Sequence, residues 1–163
     1  YIDDFEVVVT GGDAHDPCGH GTHVAGVAAG TGAASGGAYA GVARGATVHS
    51  VRVLDHKGRG MTSDVIAGLD WVLENAGSRG IRVVNLSLGK AVEESNALDP
   101  LVLAVERVWD AGIVVVASAG NYGRDGHMSV TSPGNSRKII TVGSLTDNGT
   151  GSVTADDYVS TYS

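Results

Sequence analysis

Two histidines stand three residues apart in a glycine-rich stretch, Asp16-Pro-Cys-Gly-His-Gly-Thr-His-Val-Ala-Gly26, where the pattern turns from a loop into a small-residue helix. A helix start leaves backbone N–H groups unpaired and holds side chains at a definite angle, so an imidazole at His20 can be aimed. Val24, Val27 and Ala28 recur at helical spacing, and Ala25, Gly26 and Ala29 keep the cylinder thin. The pattern predicts a helix through Ala29 that is buried on nearly every side.

Two kinds of chemistry fit such a stretch. One is metal binding, since Cys18, His20 and His23 form a Cys-x-His-x-x-His cluster with Asp13 and His15 close by. The spacing matches no common zinc signature, and a structural zinc site wants ligands converging from paired turns, so no metal ligand is assigned. The other is chemistry at His20 itself, although an isolated histidine is more often a surface or satisfied core residue. Asn121, after the apolar run and Gly120, is a second candidate; asparagine after glycine is commonly a turn or cap.

The elements that must position these residues read as α/β. Phe5-Glu-Val-Val-Val9 predicts a strand or extended lead-in, and residues 30–41, built of Gly, Ala, Ser and Thr with a tyrosine and a final glycine, predict a tight loop. That loop lacks the acidic or amide oxygens of a calcium site. Thr47-Val-His-Ser-Val-Arg-Val-Leu54 alternates as a strand does, and Ser63 with Asp64 can cap a helix whose apolar face is Val65, Ile66, Leu69, Val72 and Leu73. Ile81-Arg-Val-Val-Asn-Leu-Ser-Leu88 predicts the next strand. Asp99-Pro100 supplies the N-cap and first position of another helix, with Leu101, Val102, Val105, Val108 and Trp109 as its buried stripe.

Gly112 ends that helix, and Ile113-Val-Val-Val-Ala117 reads as a strand covered on both faces. Lys138-Ile-Ile-Thr-Val-Gly143 adds another. The order predicts a mostly parallel sheet, in which function gathers at the carboxyl ends of strands. Three such ends carry Gly58-Arg59-Gly60, Ser87-Leu88-Gly89 and Ser118-Ala119-Gly120-Asn121.

At 163 residues the chain fits one domain, with an aliphatic core implied by 42% hydrophobic residues and a single phenylalanine. A net charge of −7 with scattered basic residues argues against a nucleic-acid surface. No apolar run approaches the ~20 residues of a membrane span, and the first residues form no signal peptide. One cysteine excludes an internal disulfide and leaves the compartment open.

His20-Gly-Thr-His-Val-Ala-Gly26, Val84-Asn-Leu-Ser-Leu-Gly89 and Val116-Ala-Ser-Ala-Gly-Asn121 together resemble three successive blocks of the subtilisin-like serine peptidases. Gly41-Val-Ala-Arg-Gly-Ala-Thr47 and Val51-Arg-Val-Leu-Asp55 are similar to the same family, so the resemblance covers nearly the whole chain. It implies a three-layer α/β fold, here incomplete at both ends, as one partial peptidase domain over 1–163. It also implies that His20 is the general base of a Ser-His-Asp mechanism, with His23 structural and Cys18 a small neighbour, and that Asn121 is the oxyanion donor.

By the same resemblance Gly58, Arg59, Gly60, Ser87, Leu88 and Gly89 form two edges that hold an extended polypeptide substrate, and Ser118, Ala119 and Gly120 wall its primary pocket. No cofactor is required; structural calcium is compatible with the family but has no support in these residues. Secretion is implied likewise. The chain departs from the family pattern in one respect: no Asp-Thr/Ser-Gly block precedes His20 and no Gly-Thr-Ser-Met-Ala block follows Asn121. The aspartate and serine are therefore expected from further segments of the same protein, and the 163-residue chain alone is expected to be inactive. The alternatives are an inactive peptide-binding scaffold of this fold and a nucleotide-binding domain, the latter disfavoured because residues 30–41 hold no phosphate-binding motif.

Overall fold

The computed structural model describes residues 16–125, 129–150 and 154–163. The chain divides into two units, Tyr1–Gly68 and Leu69–Ser163. The strand expected at residues 5–9 lies outside the described residues.

In the first unit, α1 (His20–Ala29) forms where the small-residue periodicity places it. It ends at Gly30, and the chain returns so that Gly41, Val42 and Ala43 donate to the carbonyls of Gly30, Val27 and Ala28 at 2.8, 3.2 and 2.8 Å. That return needs glycine at 41: a Cβ there would lie 2.5 Å from Gly30 N and 2.7 Å from Ala29 N. The glycine-rich loop, with a 3₁₀ turn at Ala33–Ser35, thus serves a backbone-to-backbone approach.

The expected all-round burial of α1 is not found. None of its residues is buried, and Val27 is 58% exposed. Its small side chains leave little to bury, and the contact with residues 41–43 is made by backbone at its C-terminal end.

Residues 47–54 form no strand either, although Leu54 is buried. Alternating β-branched residues favour extended backbone, but a strand needs a ladder partner, and none is paired to this segment among the described residues. Instead the Val51 and Val53 side chains fill the space beside Gly68, where an added Cβ would lie within 2.9 Å of both.

α2 (Thr62–Arg79) crosses the division between the units. Asp64 accepts from Met61 N–H at 3.3 Å, reaching back over the first turn as a capping side chain does. Val65, Leu69 and Val72 are buried, as their spacing predicts.

The second unit repeats one grammar twice. α2 ends at Gly80 and α3 (Pro100–Asp110) ends before Gly112, both glycines left-handed, at φ 68° and 86°. Ile81 and Ile113 then bond back to Ala76 and Val108, closing each helix C-terminus before a strand begins. β1 (Val83–Leu86), β2 (Val114–Ser118) and β3 (Ile140–Val142) form a parallel sheet in that order. Leu86 pairs with Ala117, and Val116 with Ile140.

α3 packs on β2, bringing the buried Val102, Val105 and Val108 to the face that carries Val115 and Ala117. Each such valine contributes ~1.5–3 kcal/mol of apolar burial, and an aspartate at 105 would forfeit that and bury an unpaired charge. The opposite face differs from expectation. Val114 is 38% exposed and Val83, Ile140 and Val142 are exposed with it, so the valine run of β2 alternates in burial. A short antiparallel pair, β4 (Leu145–Thr146) with β5 (Tyr158–Val159), follows, and no pattern in the sequence marked it.

Candidate active site

The histidine turn is organised by an acid four residues upstream. Asp16 accepts from Gly19 N–H and Thr22 N–H, each at 2.8 Å, and from the Thr22 hydroxyl at 2.6 Å. The formal N-cap, Gly19, has no side chain to offer and adopts φ 83°, so Asp16 caps α1 across the turn. Its negative charge also suits the positive end of the helix. His20, half-buried, is thereby the first residue of α1 on a backbone held from both sides. His23 and Cys18 are exposed. Asp13 and His15 lie outside the described residues, and among the described ones no three His, Cys, Asp or Glu side chains are grouped to hold a metal ion.

Gly58, Arg59 and Gly60 sit on a tight loop, also in the first unit. Asp55 builds it: its Oδ1 accepts from Lys57 N–H at 2.8 Å and Arg59 N–H at 3.0 Å, while Asp55 N–H donates to Arg59 O at 2.8 Å. The Arg59 and Lys57 amides hold the Asp55 carboxyl below its ordinary range. Gly58 is left-handed at φ 68°, and a Cβ on Gly60 would strike the Val53 carbonyl.

In the second unit the structure brings two predicted segments together. Residues 87–89 follow β1, and residues 118–120 start from the last residue of β2, at the carboxyl ends of adjacent parallel strands. Leu88 is buried like Leu86, so Ser87 and Gly89 belong to the other side of the chain. One residue joins the segments. Cβ atoms added to Gly89 and to Gly120 would come within 2.5 and 2.6 Å of the Thr131 side chain. Thr131 is buried, and its N–H donates to Ala119 O at 2.9 Å. Gly120 adopts φ 98°, which lets the chain turn there into the exposed Asn121. Two residues on, Gly123 N–H donates to Tyr162 O at 3.1 Å, so the end of the chain returns beside this turn.

Sequence reasoning missed Asp16, Asp55 and Thr131 as positioning residues. The first two carried a signal, an aspartate three residues before a glycine in a turn. Thr131 carried none, because its partners are 42 and 11 residues away in the chain.

Residues 3–163 match Peptidase S8, the subtilase family. The chain belongs to the subtilase family. It is 43% identical over 156 residues to the serine protease AprX of Bacillus subtilis (strain 168), covering 93% of this chain and 35% of that protein. It is 45% identical over 142 residues to the extracellular serine proteinase of Thermus sp. (strain Rt41A), covering 87% of this chain and 31% of the relative. Among solved structures it is similar to sphericase, with a TM-score of 0.74 and 29% identity over 98% of this chain and 50% of that one. A cold-adapted subtilisin-like serine proteinase gives 0.66 and 37% identity over 87% of this chain and 46% of its own. The fold is thus the subtilisin-like α/β fold, and the chain spans about a third of the length of these sequence relatives.

Proposed function

We propose that this chain is part of one peptidase domain of a serine endopeptidase, and that it supplies the general base and the oxyanion donor of a Ser-His-Asp mechanism. His20 takes the proton of a serine hydroxyl as the oxygen attacks the scissile carbonyl, then returns it to the leaving amine. The Asn121 amide donates to the oxyanion that forms, and acts chiefly in the transition state. The observation that carries this reading is the pair of glycine-lined segments, 87–89 and 118–120, closed on Thr131 with Asn121 following directly. Small residues there leave room for a substrate side chain beside an edge that accepts an extended peptide. Gly58, Arg59 and Gly60, on the loop that Asp55 builds, are assigned to substrate binding by the family resemblance alone.

The aspartate and serine match no motif in residues 1–163 and are assigned to other segments of the same protein. The 163-residue chain alone is then inactive, since an oxyanion donor cannot replace a nucleophile. No cofactor enters this chemistry, and the protein acts outside the cell, as the name of the Thermus relative says of that enzyme.

The test is a fluorophosphonate probe with a chromogenic peptide, applied to the full-length protein and to the purified chain. Labelling and turnover by the full-length protein, abolished by His20→Ala, are expected. Labelling within residues 1–163 would require another nucleophile and overturn the assignment.

A further inference from the structure

Asp99 is fully buried, and its two oxygens serve different parts of the second unit. Oδ1 accepts from Leu101 N–H at 2.9 Å and caps α3. Oδ2 lies 3.1 Å from Lys90 Nζ, an ammonium that is also 3.7 Å from the half-exposed Glu94. Lys90 directly follows Gly89, and its backbone bonds Ser132 in both directions, at 2.8 and 3.0 Å. Ser132 directly follows Thr131, on which Gly89 and Gly120 both close. Contacts therefore run without a break from Asp99 through Lys90 to the backbone of the 87–89 edge, and through Ser132 to the pocket wall.

Capping does not require this arrangement. Asparagine or serine would cap α3 about as well, without a buried charge that is costly unless paired. The carboxylate adds something a neutral cap lacks, which is a fixed lysine beside Gly89. Ser132, beside Lys90, adds to what favours the charged form of Asp99.

We propose that Asp99 is a positioning residue for substrate, acting through Lys90 to hold residues 87–89 in register as a peptide-binding edge; this rests on the peptidase reading above. An edge that binds a peptide as an added strand works through main-chain hydrogen bonds, which need a fixed register. Loosening it weakens the hold on the substrate's outlying residues. The primary pocket keeps its own tie, Thr131 N–H to Ala119 O at 2.9 Å, and the proton transfer at His20 is left alone.

The experiment uses the full-length protein with a tetrapeptide and a single-residue p-nitroanilide. Asp99→Asn keeps the cap, and Lys90→Met keeps the apolar stem. In each variant KM for the tetrapeptide should rise about tenfold, equivalent to about 1.4 kcal/mol. Turnover should stay within about twofold and the single-residue substrate should be unaffected, the pattern of lost uniform binding. The double variant should be no worse than either single one. Amide exchange at Lys90, which donates to Ser132, should quicken in both variants.

Unchanged KM, equal losses on both substrates, or unaltered exchange at Lys90 would overturn the inference. Should Asp99→Asn fail to fold, Lys90→Met carries the same comparison, because that side chain is already 24% exposed. A parent that cleaves neither substrate overturns the peptidase reading and this inference with it. A parent that cleaves both, with variants that match it, overturns this inference alone.

Discussion

Three glycine-to-alanine substitutions separate the two reasons a glycine can be required. Gly112 adopts φ 86° with nothing within 4 Å of an added Cβ, so alanine meets backbone strain alone. Gly89 is not in the left-handed region, but its Cβ would lie 2.5 Å from Thr131 Oγ1 and 3.0 Å from Ser132 O, so alanine meets a clash alone. Gly120 has both, φ 98° and 2.6 Å contacts with Thr131 Cγ2 and Oγ1. Left-handed strain costs roughly 1–2 kcal/mol. Overpacking a tight site costs roughly 1–3 kcal/mol. Alanine recovers about 0.4–1 kcal/mol through the unfolded chain. Gly112→Ala should therefore lose about 1.5 kcal/mol or less and Gly89→Ala up to about 2.5 kcal/mol. Gly120→Ala should lose the most, about 1–4.5 kcal/mol. Urea unfolding of the full-length variants measures each loss. Thr131→Ala should relieve Gly120→Ala and Gly89→Ala in a double-mutant cycle but leave the cost of Gly112→Ala unchanged. Equal losses at 112 and 120, or no relief by Thr131→Ala, would refute the placement of Thr131 between the two segments.

In the full-length protein, Asn121→Ala should cut turnover with KM nearly unchanged; the usual cost of one oxyanion donor, known from subtilisin itself, is about 10²–10³. Turnover within about threefold of the parent would remove Asn121 from that role. Asp16→Ala removes the acceptor of Gly19 N–H, Thr22 N–H and the Thr22 hydroxyl, and should cost about 1 kcal/mol while amide exchange quickens in the first turn of α1. For Asp99, burial raises the carboxyl pKa, but Ser132, Lys90 and Leu101 N–H together outweigh it, so the folded value lies below the ordinary 3.8. A lowered folded pKa means stability that is present above the unfolded value and lost as pH falls through the folded one. Stability should thus decline below pH 3.8, and Asp99→Asn should flatten that part of the acid limb; an unaltered limb counts against the buried ion pair.

Local signals and long-range ones divide what the sequence made legible. Asp99-Pro100, the stripe at Leu101, Val102, Val105 and Val108, and the glycines at 80 and 112 sit within one or two turns of what they determine, and the helices form there. The apolar runs at 81–88 and 113–117 likewise contain β1 and β2. Residues 47–54 show the limit. Their alternation is as regular as that of any strand, but a ladder needs a partner, and among the described residues Val51 and Val53 lie against Gly68 instead.

The same distinction explains which parts of the site escaped notice. His20 and Asn121 are singled out by the family resemblance of the blocks that hold them, and residues 87–89 and 118–120 also as small residues after apolar runs. Side chains that act on distant backbone have no period or spacing to betray them. Thr131 is buried between glycines on which an added methyl group would press against it, and Lys90 reads in sequence as one more charged loop residue. A buried carboxylate that caps one helix and also holds a lysine nine residues earlier is recognisable only once the backbone between them is placed. Gly89 and Gly41 were the better guide, because neither has left-handed backbone and at each a neighbour occupies the space a side chain would fill. Asking what that neighbour is leads from Gly89 to Thr131, and from there through Ser132 and Lys90 to Asp99.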